Sequence, residues 1–221
     1  MTIKTLALAT LFLALPVSAK AADSGRVIGD SIGVGVSWAA KIPSTARNSV
    51  SIYSGAIMEQ LNAAQKGETV FLSLGTNDAV GGALDVKAKV AAIVAQADKL
   101  GVKLVWIGPP CVLKPWEEYA RKLDAELETT LAPTSATYVS TQGADFCDAS
   151  VHAQEGVHFN MTGYTRIWRK ASAAVGFTGG GALVADASAT SHSAKSRPHR
   201  RHKRHAHYAK AAERQADATP K

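Results

Sequence analysis

The sequence predicts an α/β domain built on a five-stranded parallel sheet with helices on both faces. Three observations carry this. Strand-like and helix-like segments alternate five times with short links between residues 26 and 175. One of the strand candidates, 69–74, is a continuous apolar run, the pattern of a strand buried on both faces. The segments between the strand candidates carry apolar residues at helical spacing, as amphipathic helices lying on a sheet do.

Taken in order, Val27-Ile28 opens the first strand, and Ile32 to Ile42 reads as a helix that stops before Pro43. Asn48 to Tyr53, with Val50 and Ile52 alternating, predicts the second strand; Ala56 to Gln65 then repeats Ile57, Leu61 and Ala64 as a helix and closes at Lys66-Gly67. The third strand, Thr69 to Leu74, ends at Gly75. Val86 to Leu100 follows, with Val90, Ile93, Val94 and Ala97 on one stripe and Gly101 just past its end. Lys103 to Ile107 is the fourth strand, stopped by Gly108-Pro109-Pro110. Trp116 to Leu131 is a charged amphipathic helix, Thr137 to Val139 the fifth strand, and Thr162 to Ala174 the last helix.

Both ends of the chain depart from this composition. Thr5 to Val17 is almost unbroken apolar sequence after Lys4, and Ala19-Lys20-Ala21 offers small residues for cleavage, so residues 1–21 read as a secretory signal peptide. The run is shorter than the roughly 20 residues that span a bilayer, and no later stretch is long and apolar enough. Residues 22–180 form the predicted domain. From Leu183 to Lys221 the sequence is basic, with a net charge of +6 and five of the seven histidines (His192, His199, His202, His205, His207). Almost no apolar content remains there to pack a core, which predicts disorder. The chain as a whole is +7 and the leader adds +2, which leaves the domain at −1. The basic balance is therefore a property of the tail. It suits an anionic envelope surface rather than nucleic acid, or a solvated solubilising extension. The whole reading is of a periplasmic or secreted protein.

Cys111 and Cys147 each follow a predicted strand in the exported part, which favours a disulfide over two buried thiols. Of the four tryptophans, Trp38, Trp106 and Trp168 lie in elements where core packing is the expected task. Only Trp116, beside Pro115, is placed for a substrate contact.

In a parallel sheet ligands gather at the carboxyl ends of the strands, and three polar clusters fall there. They are Gly29-Asp30-Ser31, Gly75-Thr76-Asn77-Asp78, and Glu155-Gly156-Val157-His158-Phe159-Asn160. Ser31, at a strand-to-helix junction between glycines, is either a nucleophile or a helix cap. Only His152 and His158 lie within the domain, and His158 alone has a carboxylate three residues earlier and a helix just after it. Asp30 reads as a structural acceptor of backbone N–H groups in its loop, and Asp78 as a cap for the segment after it. Ser31 sits in a formal G-x-S-x-G, but the α/β-hydrolase elbow follows several strands and here only one precedes. Gly33-Val34-Gly35 begins a dinucleotide fingerprint that fails at Trp38.

With these clusters in this order, the chain resembles the SGNH (GDSL-type) hydrolases, a family of esterases and lipases. Gly29-Asp30-Ser31 matches the first block, Gly55 the glycine of the second, Gly75-Thr76-Asn77-Asp78 the third, and Val157-His158-Phe159 with Met161-Thr162-Gly163-Tyr164 the last. The resemblance implies a flavodoxin-like α/β/α domain. It also implies Ser31 as nucleophile, His158 as base, and an oxyanion hole made by Ser31 N–H, Gly55 N–H and the Asn77 amide, with no metal or cofactor. The family usually has aspartate three residues before the histidine, and this chain has Glu155. Glu155 is the expected orienting acid, with Asp148 or an unassisted Ser-His pair as alternatives. The implied activity is hydrolysis of acyl esters; the exported compartment, and a short chain with little room for a lid, put O-acetyl groups of envelope glycans ahead of lipid esters. The competing reading is a non-catalytic envelope-binding protein with the same fold and an anchoring tail.

Overall fold

A computed structural model describes residues 23–83 and 85–180 of the chain. The expected signal peptide and basic tail lie outside the described residues. The elements are β1 (Gly25–Gly29), α1 (Ser31–Ala40), α2 (Gly55–Asn62), β2 (Thr69–Ser73), α3 (Thr76–Val80), α4 (Lys87–Leu100), β3 (Lys103–Pro110), α5 (Glu117–Leu131), β4 (Thr137–Thr141), α6 (Ala144–Cys147) and α7 (Met161–Ala174), with a single 3₁₀ turn at Ala149–Val151.

The four strands form one parallel sheet in the order β1-β2-β3-β4. Successive strand residues point to opposite faces, and this alternation divides the core in two. Ile28, Val70, Leu72, Leu104 and Trp106 face a layer built by α2, α4 and α5. Val27, Phe71, Val105 and Ile107 face α1 and α7, where Phe71, Trp168 and Phe177 pack edge to face. The expected three-layer α/β/α arrangement is present.

Among the described residues the sheet has four strands, and the second of the five strands that the sequence predicts, at 48–53, is not formed. Residues 48–53 are irregular, although Val50 and Ile52 are buried as their alternation suggested. Their backbone is satisfied by side chains instead of a strand: Asn77 Nδ2 donates to the Val50 carbonyl at 2.8 Å, and the Ile52 N–H donates to both carboxylate oxygens of Asp78 at 3.1 and 3.0 Å. The outer edge of β1 is covered by residues 43–47. Val27 N–H donates to Pro43 O, Thr45 N–H to Val27 O and Arg47 N–H to Gly29 O, with one parallel bridge between Val27 and Ser44. The chain thus approaches β1 where a strand would lie, but earlier than its apolar pattern indicates and too briefly to form a ladder.

Cys111, just after β3, is joined to Cys147 at the end of α6, with the two Cα atoms 5.2 Å apart. Among the described residues no helix is long and apolar enough to cross a membrane.

Candidate active site

The site is assembled at the carboxyl edge of the sheet from the starts of four helices. β1 ends at Gly29, whose φ of +117° and lack of a side chain are both required, since a Cβ there would lie 1.8 Å from the Ser73 carbonyl oxygen. Gln60 of α2 brackets Gly29, accepting from its N–H at 2.6 Å and donating to its carbonyl at 3.2 Å. Asp30 then caps α1. Its carboxylate accepts from the N–H groups of Ile32 (3.0 Å) and Gly33 (3.4 Å) and from the Ser73 hydroxyl (3.1 Å), and its carbonyl accepts from Val34 N–H. Ser31 follows as the first helical residue.

The first N–H groups of a helix have no intrahelical acceptor. Asp30 satisfies those of Ile32, Gly33 and Val34, and Ser31 N–H is left without an acceptor among the described residues. The start of α2 repeats the arrangement. Ser54 takes Ala56 N–H on its hydroxyl and Ile57 N–H on its carbonyl, and the Gly55 N–H is left over. Nothing lies within 4 Å of where a Gly55 Cβ would be, so the space beside this residue is open. Beside it, between α2 and α4, is a cavity of about 140 Å³ lined by Ile52, Tyr53, Gly55, Ile57, Met58 and Ile93, among others.

Asn77 stands in the first turn of α3, after Gly75, which also adopts a positive φ of +123°. Its bond to Val50 O fixes which end of the amide is which, because a carbonyl accepts only from the –NH₂ group. One amide hydrogen is used there and one remains. Asp78 is committed to Ile52 N–H, and burial raises its carboxyl. It therefore ties down residues 50–53, well before it in the chain, and does not cap the segment after it as the sequence suggested.

The histidine is carried by a tight loop. Ala153 N–H donates to His158 O, Gly156 N–H to Ala153 O, and Leu113 N–H to Gly156 O, with Gly156 at φ +74° permitting the reversal. His158 Nε2 lies 2.8 Å from Ser31 Oγ across 127 residues of sequence, and His158 Nδ1 lies 2.7 Å from Glu155 Oε1. The same Glu155 oxygen accepts the backbone N–H of His158 at 2.6 Å. A carboxylate can only accept here, so Nδ1 carries the hydrogen and Nε2 offers a lone pair to the serine hydroxyl. Burial acts to raise the Glu155 carboxyl, but the backbone and ring donors of His158 outweigh it and hold the group below the usual glutamate range. Asp148 is engaged elsewhere, accepting from Ser150 N–H, which lowers its carboxyl.

Ser31, His158 and Glu155 are thus in direct contact. Gly55 and Asn77 each keep one N–H donor in reserve at the same edge of the sheet. His152, the other histidine of the domain, is buried and structural: its ring nitrogens lie 3.0 Å from the carbonyls of Asp148 and Cys111, and it packs on Phe159. One residue that braces the site escaped the sequence. Gln60 gave a usable signal, a polar side chain inside the apolar stripe of α2. Trp38, expected in the core, is 60% exposed. Trp116 is partly buried against the α2/α4/α5 layer.

The class that fold and geometry define is an α/β/α domain with a serine, a histidine and a carboxylate converging at the carboxyl edge of a parallel sheet, and its fold is that of the SGNH hydrolases. Solved structures with this fold include a member of the lipolytic G-D-S-L family from Veillonella parvula, 19% identical, covering 70% of this chain and 98% of that one with a TM-score of 0.54. A catalytic mutant of Axe2, an acetylxylan esterase from Geobacillus stearothermophilus, is 16% identical with coverage of 71% and 95% and a TM-score of 0.54. TesA is 18% identical, with coverage of 69% and 98% and a TM-score of 0.56. No protein-family model matches the chain, and no curated protein matches it.

Proposed function

We propose that this protein is a member of the SGNH hydrolases and acts as an exported serine esterase, with Ser31 as nucleophile, His158 as general base and acid, and Glu155 as the orienting acid. The observation that carries the reading is the unbroken chain of contacts from Ser31 Oγ through His158 to Glu155.

As Ser31 Oγ attacks an ester carbonyl, its proton passes to His158 Nε2, and the imidazolium that forms is stabilised by Glu155. The negative charge on the tetrahedral oxygen is met by the N–H groups of Ser31 and Gly55 and by the free amide hydrogen of Asn77. Each such donor is typically worth about 3 kcal/mol in the transition state. His158 then gives its proton to the departing alcohol, and the acyl-enzyme is released by water that His158 activates in turn. The donors sit at the first turns of α1 and α2, where the helix dipoles also favour negative charge.

The substrate class is an acyl ester, with O-acetylated envelope glycan preferred. The side chains of His158 and Glu155 are 41% and 46% exposed, so the catalytic groups are open to an ester carried on a polymer. Export rests on the leader at 1–21 and is in keeping with the Cys111–Cys147 bond. The basic tail, 183–221, supplies attraction to anionic envelope polymers or head groups.

The test is hydrolysis of p-nitrophenyl acetate together with labelling of Ser31 by a fluorophosphonate. Turnover and labelling that both vanish in Ser31→Ala support the proposal. An intact protein that does neither is a binding module, and the enzymatic reading fails.

A further inference from the structure

The proton that His158 returns must reach the leaving oxygen, so the alcohol part of the ester lies on the histidine side of Ser31. On that side the chain continues from His158 directly into α7, which packs along α1. Both helices start at the carboxyl edge of the sheet and run away from the site together.

On α1 the outward stripe is Ser31, Val34 and Trp38. Seven residues separate the serine from the tryptophan, which places them within about 20° of the same helical face and about 10 Å apart along the axis. Trp38 is 60% exposed, and its position is set from below by Tyr164 of α7, with ring centroids 6.3 Å apart and planes at 81°. Tyr164 is itself buried and clamped over Gly35, where a Cβ would fall 2.0 Å from the ring.

On α7, Arg166 and Lys170 reach toward α6 and β4, donating to the carbonyls of Asp145 and Ser140 respectively. Met161, Thr165 and Arg169 lie roughly 100° around the helix from that side, on the flank that faces α1. A concavity of about 410 Å³ follows this surface, lined by Met161, Thr162, Thr165, Arg166 and Arg169. Two stripes, the first of them ending in an exposed indole, thus lead away from the nucleophile side by side.

We infer that the α1–α7 face is a subsite for the alcohol portion of the substrate, and that this portion is a polysaccharide chain whose acylated sugar sits at Ser31 while a neighbouring unit stacks on Trp38. This rests on the esterase reading above and extends it from an ester to a polymer. An indole presents a flat apolar surface to the C–H face of a pyranose and one N–H to its hydroxyls. The Thr165 hydroxyl donates to the Met161 carbonyl at 2.7 Å and keeps its acceptor side for a sugar hydroxyl. The separation of about 10 Å along α1 is the span of roughly two sugar units, so the contact serves a chain and not an isolated acetylated sugar. A simple alkyl ester, whose alcohol is small, would leave both stripes unused.

The experiment compares kcat/KM on O-acetylated xylan and O-acetylated alginate with kcat/KM on p-nitrophenyl acetate, for wild type, Trp38→Ala and Trp38→Phe. The polymer-to-small-ester ratio is expected to fall about 10-fold in Trp38→Ala, mostly through KM, and to recover partly in Trp38→Phe. A ratio that stays the same in Trp38→Ala overturns the inference, as does a wild type that cleaves the small ester and neither polymer. Loss of binding to anionic phosphatidylglycerol vesicles in Trp38→Ala, with the polymer ratio intact, assigns the face to a membrane and overturns it too. Binding of xylo-oligosaccharides and oligoalginate to Ser31→Ala, read by tryptophan fluorescence, tests the subsite even if no ester is hydrolysed; quenching lost in Ser31→Ala/Trp38→Ala supports it, and no quenching in Ser31→Ala counts against it.

Discussion

The side-chain amide of Asn77 donates to the backbone carbonyl of Val50 across 2.8 Å, which leaves one amide hydrogen uncommitted and its direction fixed. A donor held in place before the substrate arrives needs no reorganisation when charge develops on the carbonyl oxygen. Asn77→Ala is therefore expected to lower kcat on p-nitrophenyl acetate by about 100- to 1,000-fold with little change in KM. Steady-state kinetics, with circular dichroism as a check on folding, measure this; a loss confined to KM would count against the assigned role.

Glu155 uses a single oxygen for two His158 donors, the ring Nδ1–H at 2.7 Å and the backbone N–H at 2.6 Å. Removing it frees both the tautomer and the loop. Glu155→Ala should cost roughly 1,000-fold or more in kcat. Glu155→Asp, shorter by one methylene, should lose at least about 10-fold because the carboxylate no longer reaches both donors. Activity of Glu155→Ala equal to wild type would show a Ser-His pair working unaided.

Asp30 is wholly buried, and burial pushes its carboxyl up from 3.8 to about 6 against hydrogen bonds from Thr76, Gly33, Ser73 and Ile32. The folded protein keeps a proton there over a range in which the unfolded chain has released it. This stabilisation is complete below pH 3.8 and is lost as the pH rises through about 6. The difference amounts to at most about 3 kcal/mol. Asp30→Asn retains the accepting oxygen without the charge. Its Tm relative to wild type should therefore climb between about pH 4 and pH 7, as thermal melts would register. A constant difference would refute the assignment.

The Cys111–Cys147 bond closes a separation of 36 residues just ahead of the loop that carries His158. In the chain-entropy view such a loop contributes about 3–4 kcal/mol. Cys111→Ser/Cys147→Ser should lower unfolding stability in urea by about that amount. It should also lower kcat, because Cys111 O is a contact of His152, which packs on Phe159 beside the base.

The cavity beside Gly55 has room for more than a methyl group, at about 140 Å³. A series of p-nitrophenyl esters from acetate to octanoate should show turnover beyond acetate. Ala92→Trp, on the cavity wall, should shift the preference back to acetate. A profile identical in both proteins would detach this cavity from the acyl group.

Much of this was legible in the sequence because local pattern and tertiary environment agree. The run 69–74 is buried on both faces as its composition required, and the predicted helices fall within a few residues of α1, α2, α4, α5 and α7. The stretch at 48–53 misled for a definable reason. Alternation reports which side chains are buried, and Val50 and Ile52 are; it says nothing about which groups satisfy the backbone, and here Asn77 and Asp78 do so from 27 and 26 residues away. Trp38 misled in the opposite sense. An apolar helix of small residues gave no sign of which flank the partner helix would cover. The Ser31, His158 and Glu155 contact was anticipated through the resemblance to the SGNH hydrolases, whose matching blocks fall at strand ends and helix starts, where topology brings distant residues together.

Gln60 makes with Gly29 the pair of bonds that a neighbouring strand would make, one to the N–H and one to the carbonyl. Since Gln60 belongs to the helix that begins at Gly55, the peptide just ahead of Ser31 and the proposed second oxyanion donor ride on the same rigid body. Any drift of that helix carries both along, so their spacing tolerates breathing of the molecule. Amide exchange at Gly29 would then keep time with the unwinding of α2, which makes one backbone proton a gauge of how long the two stay in step.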